Sequence, residues 1–543
     1  MKERPWLATL REYGIPTEIE TDTYASVNAM MDAAIARFAD KPAFHSFGQT
    51  LSYADVDRLA RDFAAWLQHQ GVKKGDRVAV MTPNLLAFPV AFLGIIRAGA
   101  AQVNVNPLYT ARELEHQLND ARVDTIVIFN GSTPTLAEII GNTPVRRVIT
   151  AGLALSADSK LPSPPVDARL TGAVPMVDAL AAGAALELVP VEMGPDDLLF
   201  LQYTGGTTGL SKGAALSHHN LVANCAQIDA FMPDITDGEE VVVTAIPLYH
   251  IFALMVNFLT YFSHGARNWL VANPRDMDAF VEVLRQARPS VLSGVNTLFA
   301  GLTMHPKIGE VDWSRMKLAC GGGSAIIEAV SDRWQGITGQ FIREGYGLSE
   351  TSPVLTFNPG AVPKFSGTTG LPMPSTDIKL LDENDAEVGI GEPGEVCAKG
   401  PQVMSGYFEK PEANAAAFTA DGYFRTGDIG VFDERGFLKI VDRKKDMILV
   451  SGFNVFPNEV EAVASALAGV AECACIGRPD EKTGEAVVLF VVRASGSTVS
   501  VDDVIAHCRA ALAAYKVPRE VRFVDELPKS AVGKILRREL RSA

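Results

Sequence analysis

Segments with strand character alternate with segments of helical character from about residue 50 onward, and this alternation limits the fold more than any other feature of the sequence. Arg77–Met81 and Ala101–Val105 are short apolar runs typical of strands, and Leu85–Ala98 between them has the length of a helix. A further helix is expected over Ala111–Asp120, and the same order returns between residues 241 and 294, with a helix expected over Met277–Ala287. Such alternation predicts an α/β fold in which parallel-rich sheets are flanked by helices. Because 543 residues exceed what one hydrophobic core holds, we expect more than one domain.

The composition argues against several classes of function. The net charge of −15 speaks against general binding to nucleic acid. The first residues lack an apolar run, and the longest apolar stretch, Leu85–Ile96, is too short to span a bilayer, so we expect neither a signal peptide nor a membrane-spanning helix. Six scattered cysteines without a Cys-x-x-Cys pair are typical of reduced thiols. These features predict a cytoplasmic protein and leave a peripheral contact with a membrane open.

A loop rich in glycine and threonine at residues 203–213 predicts a site for phosphate groups. It follows the apolar run Leu198–Gln202 and precedes Ser217–Met232, which we expect to be an amphipathic helix. Glycines let backbone N–H groups approach an anion, while hydroxyls and a lysine add donors and charge. The loop is not the P-loop of nucleoside triphosphatases, because Gly213 follows Lys212 where that motif has Ser or Thr. A flexible surface loop between a strand and a helix is the alternative interpretation.

Four further motifs have residue types that suit a nucleotide. Three consecutive glycines in Gly321–Ser324 would admit a flat group close to the backbone. Tyr346 is flanked by glycines and suits a base, and Glu350 offers the hard oxygen that magnesium prefers. Asp428 follows a turn, where its carboxylate suits a ribose diol, and Lys534 follows a glycine near the C-terminus. Each motif alone is equally typical of an ordinary turn or of a solvated basic tail.

The composition changes along the chain in a way that predicts separate domains. Residues 151–196 are rich in Ala, Pro and Ser and are expected to form a loosely structured connection, whereas residues from about 370 to 441 suggest a β-rich subdomain. The charge run Asp442–Asp446 is either a solvated turn or a boundary, and the roughly 100 residues after it are enough for a small α+β domain. We expect a large N-terminal domain over residues 1–442, a hinge over 443–446 and a C-terminal domain over 447–543.

Taken together and in this order, the motifs resemble one family closely. They are the loop at 203–213, Gly-Tyr-Gly-Leu-Ser-Glu at 345–350, Thr-Gly-Asp at 426–428, Asp-Arg-Lys-Lys-Asp at 442–446 and Pro-Lys-x-x-x-Gly-Lys at 528–534. The chain resembles the AMP-forming acyl-CoA synthetases, whose superfamily also holds firefly luciferase and the adenylation domains of peptide synthetases. The resemblance runs from about residue 25 to the C-terminus, and Asp421–Glu461 is most similar to bacterial long-chain fatty acid–CoA ligases.

The resemblance implies an activity and a role for each motif. The N-terminal domain would form an acyl-adenylate from ATP and a carboxylic acid with the help of Mg²⁺, and the mobile C-terminal domain would then rotate so that coenzyme A takes the acyl group. The residues with implied catalytic roles are Lys534, Arg443, Glu350 and His250. The implied nucleotide contacts are Thr204, Gly205, Gly206, Thr207, Thr208, Lys212, Gly322, Gly323, Tyr346, Gly347, Ser349, Asp428 and Arg443. Magnesium is assigned to Glu350 and Thr204, the hinge to Lys445 and the approach of coenzyme A to Gly452.

Two positions depart from the pattern common in the superfamily. Ser211 stands where many members have proline, and Ser349 stands where many have threonine. Both retain the backbone or hydroxyl function, so the implied roles are kept.

The sequence constrains the identity of the carboxylic acid substrate less than it constrains the nucleotide site. The uncharged residues after His250 favour a medium- or long-chain fatty acid, although Arg267 or Arg343 is available to a second carboxylate. The alternatives are a coenzyme A ligase for cyclic aliphatic, aromatic or dicarboxylic acids, a fatty acyl-AMP ligase that loads a carrier protein, a luciferase-like oxygenase and a non-catalytic regulator. A homodimer also remains open, and Lys534, expected on an exposed loop, is a candidate target for a lysine acetyltransferase.

Overall fold

The computed structural model describes residues 4–156, 159, 161–204, 211–451, 453–480, 482–530 and 533–542. The strands in these residues, numbered in chain order, are β1 Pro42–Ser46, β2 Gln49–Ser52, β3 Arg77–Met81, β4 Ala101–Asn104, β5 Thr125–Phe129, β6 Arg147–Ala151, β7 Val174–Pro175, β8 Leu198–Thr204, β9 Lys212–Ser217, β10 Val241–Thr244, β11 Arg267–Leu270, β12 Val291–Gly294, β13 Leu318–Gly321, β14 Ile342–Gly347, β15 Val354–Phe357, β16 Leu371–Pro372, β17 Asp377–Leu381, β18 Gly394–Lys399, β19 Gly406–Tyr407, β20 Phe424–Phe432, β21 Leu438–Arg443, β22 Ile448–Val450, β23 Phe453–Val455, β24 Val470–Asp480, β25 Gly484–Arg493 and β26 Glu520–Phe523.

The helices are α1 Pro5–Glu12, α2 Val27–Phe38, α3 Tyr53–His69, α4 Ala87–Arg97, α5 Ala111–Asp120, α6 Thr133–Ile139, α7 Met176–Gly183, α8 His218–Phe231, α9 Tyr261–Ser263, α10 Met277–Ala287, α11 Asn296–Met304, α12 Glu328–Thr338, α13 Pro411–Ala417, α14 Pro457–Ser465, α15 Val501–Ala511 and α16 Arg537–Ser542. A π-helical segment, Ala253–Thr260, runs directly into α9. Short 3-10 turns lie at Asn130–Ser132, Ile140–Asn142, Ile308–Glu310, Ser349–Thr351 and Ala514–Lys516. Among the helices of the described residues, none combines the length and the apolar composition needed to cross a bilayer.

Two large, mostly parallel sheets form the frame of the molecule. One has the strand order β19-β9-β8-β4-β3-β5-β6-β7, and the other has the order β16-β15-β14-β13-β12-β10-β11-β1-β2. Within them β3 to β8 and β10 to β14 pair in parallel, while β9, β15, β16, β19 and β2 join at the edges as antiparallel strands. The predicted α/β class with parallel-rich sheets is therefore confirmed.

Helices cover both faces of each large sheet. The largest hydrophobic core lies between the two sheets and is built by α2, α3, α4, α8 and the π-helical segment. A second core lies under α10, α11 and α12, and a third under α5 and α6. Because the two sheets share one central helical layer, the carboxyl ends of their strands open near each other, which is where ligands bind in such sheets.

Two smaller sheets complete the structure. Strands β17, β18, β20 and β21 form a four-stranded antiparallel sheet, which matches the β-rich region expected between about 370 and 441. Strands β22 to β26 form a five-stranded sheet with its own core under α14 and α15. The pattern of a small α+β unit at the C-terminus is thus confirmed, while the domain limits at 442 and 447 remain predictions.

Two local expectations were wrong, and one strand was missed. The helix expected over Ser217–Met232 is α8, but β9, which returns antiparallel to β8 before it, was not predicted. Helix α8 is not amphipathic, since it is buried on nearly all sides between the two large sheets. The connection expected over 151–196 contains α7, and in it a Cβ added to Gly183 would lie 1.9 Å from the carbonyl oxygen of Asp62, so this part is tightly packed.

Candidate functional site

The predicted phosphate loop is held at its two ends by a pair of strands. Thr204 ends β8 and Lys212 begins β9, and the two residues are direct partners across the antiparallel pair. The side chain of His116 lies 2.9 Å from the carbonyl oxygen of Ser211, which fixes the end of the loop from the side of α5. Gly205, Gly206, Thr207 and Thr208, which carry the rest of the phosphate prediction, lie outside the described residues.

Lys212 and Glu350 are brought to opposite sides of one tyrosine. The amino group of Lys212 lies 4.6 Å from the centre of the Tyr407 ring, and the Tyr407 hydroxyl donates a 2.8 Å hydrogen bond to Glu350. Burial and the charge of Glu350 raise the pKa of Tyr407, so its hydroxyl keeps the proton that it donates. The structure therefore joins the predicted lysine of the phosphate loop to the predicted magnesium ligand.

Glu350 has the surroundings of a ligand for a divalent ion. It lies in the turn Ser349–Thr351 with 7% of its surface exposed, and burial raises the pKa of its carboxyl group. Strand β8, which ends at Thr204, packs against the same turn. In the described residues no group of three or more His, Cys, Asp or Glu side chains is placed to hold a metal. One carboxylate at a phosphate loop fits Mg²⁺, which takes much of its coordination from phosphate oxygens and water.

A tyrosine, an aspartate and an arginine form the other half of the site. The Tyr346 hydroxyl donates a 2.7 Å hydrogen bond to Asp428, and Arg443 lies 3.4 Å from the other oxygen of that carboxylate. Asp428 and Arg443 are direct partners on β20 and β21, so the pairing of two strands sets their spacing. Asp428 is 5% exposed. This arrangement can contact a base with the ring, a diol with the carboxylate and an anion with the guanidinium.

At Gly322, Gly323 and Gly347, a larger residue would be crowded by its neighbours or strained in its backbone. A Cβ on Gly347 would lie 1.7 Å from the carbonyl oxygen of Pro353, so only glycine fits between β14 and the turn that follows. A Cβ on Gly322 would lie 3.2 Å from the ring of Phe252, and Gly323 has a φ of +75°. Gly322 and Gly323 therefore let the backbone after β13 approach a flat group closely.

Lys534 reaches this site from the C-terminal end of the chain. Burial, together with the positive charges of Arg443 and Lys445, lowers the pKa of Lys534 to about 8, while the charge of Asp428 acts in the opposite direction. The charge of Lys534 in turn adds to the burial that lowers the pKa of His250 to about 4. Lys534, Arg443, Asp428 and His250 thus share one electrostatic environment, although they are far apart in sequence. Lys534 is partly buried, so the expectation that it lies on an exposed loop was wrong for this conformation.

The loop before Lys534 rests on the large sheets. Gly533 has a φ of +78°, and a Cβ added to it would lie 2.8 Å from the Thr297 hydroxyl and 3.2 Å from a methyl group of Val295. The loop is closed by the carbonyl oxygen of Lys534, which accepts a 2.7 Å hydrogen bond from the Ser530 backbone. These contacts hold Lys534 over the site that the large sheets present.

The charge run at the expected hinge is not a solvated turn throughout. Asp442 is 1% exposed and accepts hydrogen bonds from the backbone N–H groups of Arg443 and Asn458. Arg537, in α16, lies 3.7 Å from both Asp442 and Asp446 and pairs with Glu461 at 2.7 Å. Burial and the charge of Arg443 lower the pKa of Lys445 to about 8. Gly452, the residue expected beside coenzyme A, lies outside the described residues.

A cavity of about 590 Å³ lies at the opposite ends of the central strands. Its lining includes Leu318 at the start of β13, Phe231 at the end of α8, and Arg343. The nucleotide motifs stand at the carboxyl ends of the same strands, so Arg343 is not among them. Arg267, at the start of β11, also lies at the far end from the motifs.

The sequence did not point to Tyr407 or Arg537. Tyr407 stands in an unremarkable Gly-Tyr pair, and only the pairing of β19 with β9 brings it beside Lys212. Arg537 lies in a basic segment near the C-terminus that is typical of a solvated tail, whereas in the structure it is the mostly buried partner of three carboxylates. The available signal was the helical character of the basic segment Ile535–Arg541, which contains Arg537. That signal does not indicate which of the basic side chains is buried.

Comparison with known proteins gives two family matches and close relatives. Residues 31–408 match the AMP-binding enzyme model and residues 459–534 match the AMP-binding enzyme C-terminal domain model. The chain is 47% identical over 540 residues to a long-chain-fatty-acid–CoA ligase of Escherichia coli, covering 97% of this chain and 96% of that protein. It is 36% identical over 556 residues to a long-chain-fatty-acid–CoA ligase of Bacillus subtilis, covering 99% and 98%. The crystal structure of ATP-bound MatB from Rhodopseudomonas palustris superposes with a TM-score of 0.84 at 31% identity, covering 95% of this chain and 98% of that one.

Proposed function

This chain belongs to the family of AMP-binding enzymes, and from that we infer that it is an AMP-forming long-chain fatty acid–CoA ligase. The observation that carries this conclusion is the 47% identity over 540 residues to the Escherichia coli ligase, which spans nearly the whole of both chains. Binding of ATP is supported by the ATP-bound relative of the same fold. The earlier alternatives of a luciferase-like oxygenase and a non-catalytic regulator receive no such support.

The first half-reaction joins the acid to AMP. A carboxylate oxygen attacks the α-phosphorus of ATP, the bond from that phosphorus to the bridging oxygen breaks, and pyrophosphate leaves with the bond electrons. Two anions must meet in this step, and positive groups lower its cost. Lys534 and Arg443 are the cations that the structure places beside Asp428. We assign Lys534 to the reacting carboxylate and α-phosphate, and Arg443 to the ribose or phosphate.

The nucleotide would lie along the residues that the structure brings together. We assign adenine to the face of Tyr346 and the glycines Gly322, Gly323 and Gly347, the ribose hydroxyls to Asp428, and the α-phosphate to Ser349. The loop from Thr204 to Lys212 would hold the departing pyrophosphate. Magnesium, which would be held by Glu350 with Thr204 close by, supplies positive charge to the phosphate oxygens.

The second half-reaction moves the acyl group to coenzyme A. The thiol loses its proton and attacks the acyl carbon, the carbon–oxygen bond to AMP breaks, and AMP leaves. Lys534 occupies the site in this structure, so a thiol needs that position vacated first. A rotation of the C-terminal domain about Lys445 would withdraw Lys534 and bring the stretch around Gly452 to the site. The hinge and the domain limits of 1–442 and 447–543 are part of this proposal.

The remaining proposals concern the acyl chain length of the substrate, the cellular location of the protein and its partners. The uncharged residues after His250, all of them buried or half-buried, support a medium- or long-chain fatty acid near that histidine. The six cysteines are free and buried, in agreement with a cytoplasmic protein. Membrane contact, a homodimer and acetylation of Lys534 remain predictions, and acetylation would need a conformation in which Lys534 is more exposed than it is here.

The experiment that tests this function is an assay of AMP release from ATP. The purified chain is supplied with Mg²⁺, coenzyme A and a panel of saturated fatty acids from C6 to C18, with benzoate, cyclohexanecarboxylate and a dicarboxylate alongside. We expect AMP release that requires coenzyme A and is greatest with fatty acids of C12 or longer. Greater turnover of a ring or dicarboxylic acid would overturn the substrate. Transfer to an acyl carrier protein in place of coenzyme A would overturn the acceptor.

A further inference from the structure

Tyr407 contacts two nucleotide-handling residues that come from separate motifs. Its hydroxyl donates to Oε1 of Glu350 at 2.8 Å, and its ring lies under the amino group of Lys212 at 4.6 Å. One contact is a charge-assisted hydrogen bond, and the other is a cation–π interaction. No other residue in the described part of the chain makes both contacts.

The backbone of Tyr407 is held by hydrogen bonds to Asn414 and by strand pairing. Its N–H donates to the side-chain oxygen of Asn414 at 2.7 Å, and its carbonyl accepts from the side-chain nitrogen of Asn414 at 3.0 Å. Gly406 before it has a φ of +151°, and a Cβ there would lie 2.8 Å from the Asn414 side chain. Strand β19 also pairs with β9, where Tyr407 is opposite Ala214. The backbone that carries the ring and the hydroxyl is therefore held by Asn414 on one side and by β9 on the other.

The Tyr407 hydroxyl helps to orient the carboxylate of Glu350. The carboxylate is 7% exposed, and Tyr407 is the side chain that donates to it among the residues that the structure describes. The backbone N–H group of Glu350 itself is the other donor to this carboxylate, and a 2.8 Å hydrogen bond from the Met404 N–H group to the Glu350 carbonyl anchors the turn. Loss of the hydroxyl would leave the buried carboxylate with one donor in place of two, and its orientation toward a metal ion would be less well fixed.

We propose that Tyr407 is a positioning residue for the metal–phosphate part of the site: its hydroxyl orients Glu350 for Mg²⁺ and its ring seats Lys212 for the phosphates of ATP. The proposal rests on the function proposed above. It assigns the two halves of one side chain to two different parts of Mg·ATP. The hydroxyl matters only when the metal is present, whereas the ring matters for the phosphates with or without it.

Equilibrium binding of ATP separates these roles, with the dissociation constant measured by calorimetry in excess Mg²⁺ and again in EDTA. Tyr407→Phe keeps the ring and loses the hydroxyl, so we expect its Kd to rise about fivefold or more in Mg²⁺ and to stay within about twofold of the wild type in EDTA. Tyr407→Leu loses both groups, so its Kd is expected to rise by about threefold or more in EDTA and by more than that of Tyr407→Phe in Mg²⁺. Asn414→Ala loosens the backbone that carries both the ring and the hydroxyl, and we expect a smaller rise in both conditions.

Tyr423 provides a matched control. Its hydroxyl donates to Asp377 at 2.6 Å, and the amino group of Lys379 lies 4.1 Å from its ring centre, so it repeats both contacts away from the site. Tyr423→Phe should leave both dissociation constants unchanged. An unchanged Kd in Mg²⁺ for Tyr407→Phe, or an equal rise in Mg²⁺ and EDTA, would overturn the role of the hydroxyl. Failure of the wild type to bind ATP in either condition would instead overturn the proposed function.

Discussion

The hydroxyl of Tyr346 donates a 2.7 Å hydrogen bond to Asp428. This bond ties the ring proposed to lie against adenine to the carboxylate proposed to hold the ribose. The two residues belong to different sheets, since β14 lies in a large sheet and β20 in the four-stranded one. The nucleoside would therefore bind at the junction of two sheets. A substitution of either residue should change mainly the KM for ATP.

Asp428→Asn keeps the size of the side chain and removes its charge. We expect the KM for ATP in pyrophosphate exchange to rise by about tenfold or more, because hydrogen bonds to a charged acceptor contribute about 1.5–3 kcal/mol. The KM for the fatty acid should stay unchanged. Tyr346→Phe is the matched comparison, since it removes the donor and keeps the carboxylate, and its effect should be smaller. Equal KM values for ATP in Asp428→Asn and the wild type would contradict the ribose assignment.

The sequence predicted the bounds of helices well where a capping residue stands at the start of the helix. The helices expected over Ala111–Asp120 and Met277–Ala287 have these bounds in the structure. Thr110 caps the first with a capping box, and the side chain of Asp276 caps the second. Strand β9 was missed because Lys212–Ser217 overlaps the glycine-rich motif and lacks a run of large apolar residues, and because its pairing with β8 is set across the loop. The burial of α8 was missed because both sheets that cover it are remote in sequence.

The motifs predicted which residue types meet at the site, but not the contacts between them. Asp428 and Arg443 were identified separately, and their 3.4 Å approach follows from the register of β20 and β21. The register has no simple signature in a single sequence. The bond from Tyr407 to Glu350 spans 57 positions of the chain and depends on an edge strand of two residues. The position of Lys534 over the site depends on how the C-terminal sheet is oriented, which local patterns do not determine.

Lys534 should react faster than ordinary lysines with an acylating reagent small enough to enter the site, whereas an acetyltransferase would need a more exposed conformation of this residue. Its pKa of about 8 leaves roughly half of the amine unprotonated at pH 8, compared with less than about 1% for a lysine of pKa near 10.4. With limiting acetic anhydride at pH 8, peptide mass spectrometry should show Lys534 modified about tenfold faster than the average lysine. Mg·ATP should slow the reaction, because bound phosphates favour the protonated amine. Pyrophosphate exchange should fall in step with modification, and full exchange after complete acetylation of Lys534 would contradict its role.

Glu344 should make the stability of the protein depend on pH. It is 7% exposed, accepts a 2.8 Å hydrogen bond from the Ile326 backbone, and burial raises its pKa to about 7. Its folded-state pKa lies above the unfolded value near 4.3, so its contribution to stability is full below pH 4.3 and is lost as the pH rises to about 7. The loss amounts to about 4 kcal/mol.

Glu344→Gln removes this titration and keeps an oxygen for the Ile326 N–H group. The Tm of the variant minus that of the wild type should therefore rise between pH 4.5 and pH 7 and become constant above pH 7. Glu434→Gln, at an exposed position, is the control and should show no such trend. A Tm difference for Glu344→Gln that does not vary with pH would contradict the raised pKa.

Gly533→Ala should slow adenylation and spare transfer to coenzyme A. The new Cβ would lie 2.8 Å from the Thr297 hydroxyl, so the loop must move away from the large sheets and carry Lys534 with it. Because misplacing a catalytic group by about 1 Å can cost about 100-fold, we expect pyrophosphate exchange to fall by about tenfold or more. Thioester formation from a supplied acyl-adenylate should stay within about twofold of the wild type, since Lys534 is not needed in the second half-reaction.

Gly496→Ala separates backbone strain from the loss of this contact. Gly496 has a φ of +76°, close to the +78° of Gly533, but a Cβ there would have no neighbour within 4 Å. Both substitutions cost about 1 kcal/mol in the left-handed region, so strain alone would affect them equally. We expect Gly496→Ala to leave both half-reactions unchanged, and Thr297→Ala to restore part of the exchange lost in Gly533→Ala. Equal loss in both half-reactions of Gly533→Ala would show that the loop acts on stability and not on the position of Lys534.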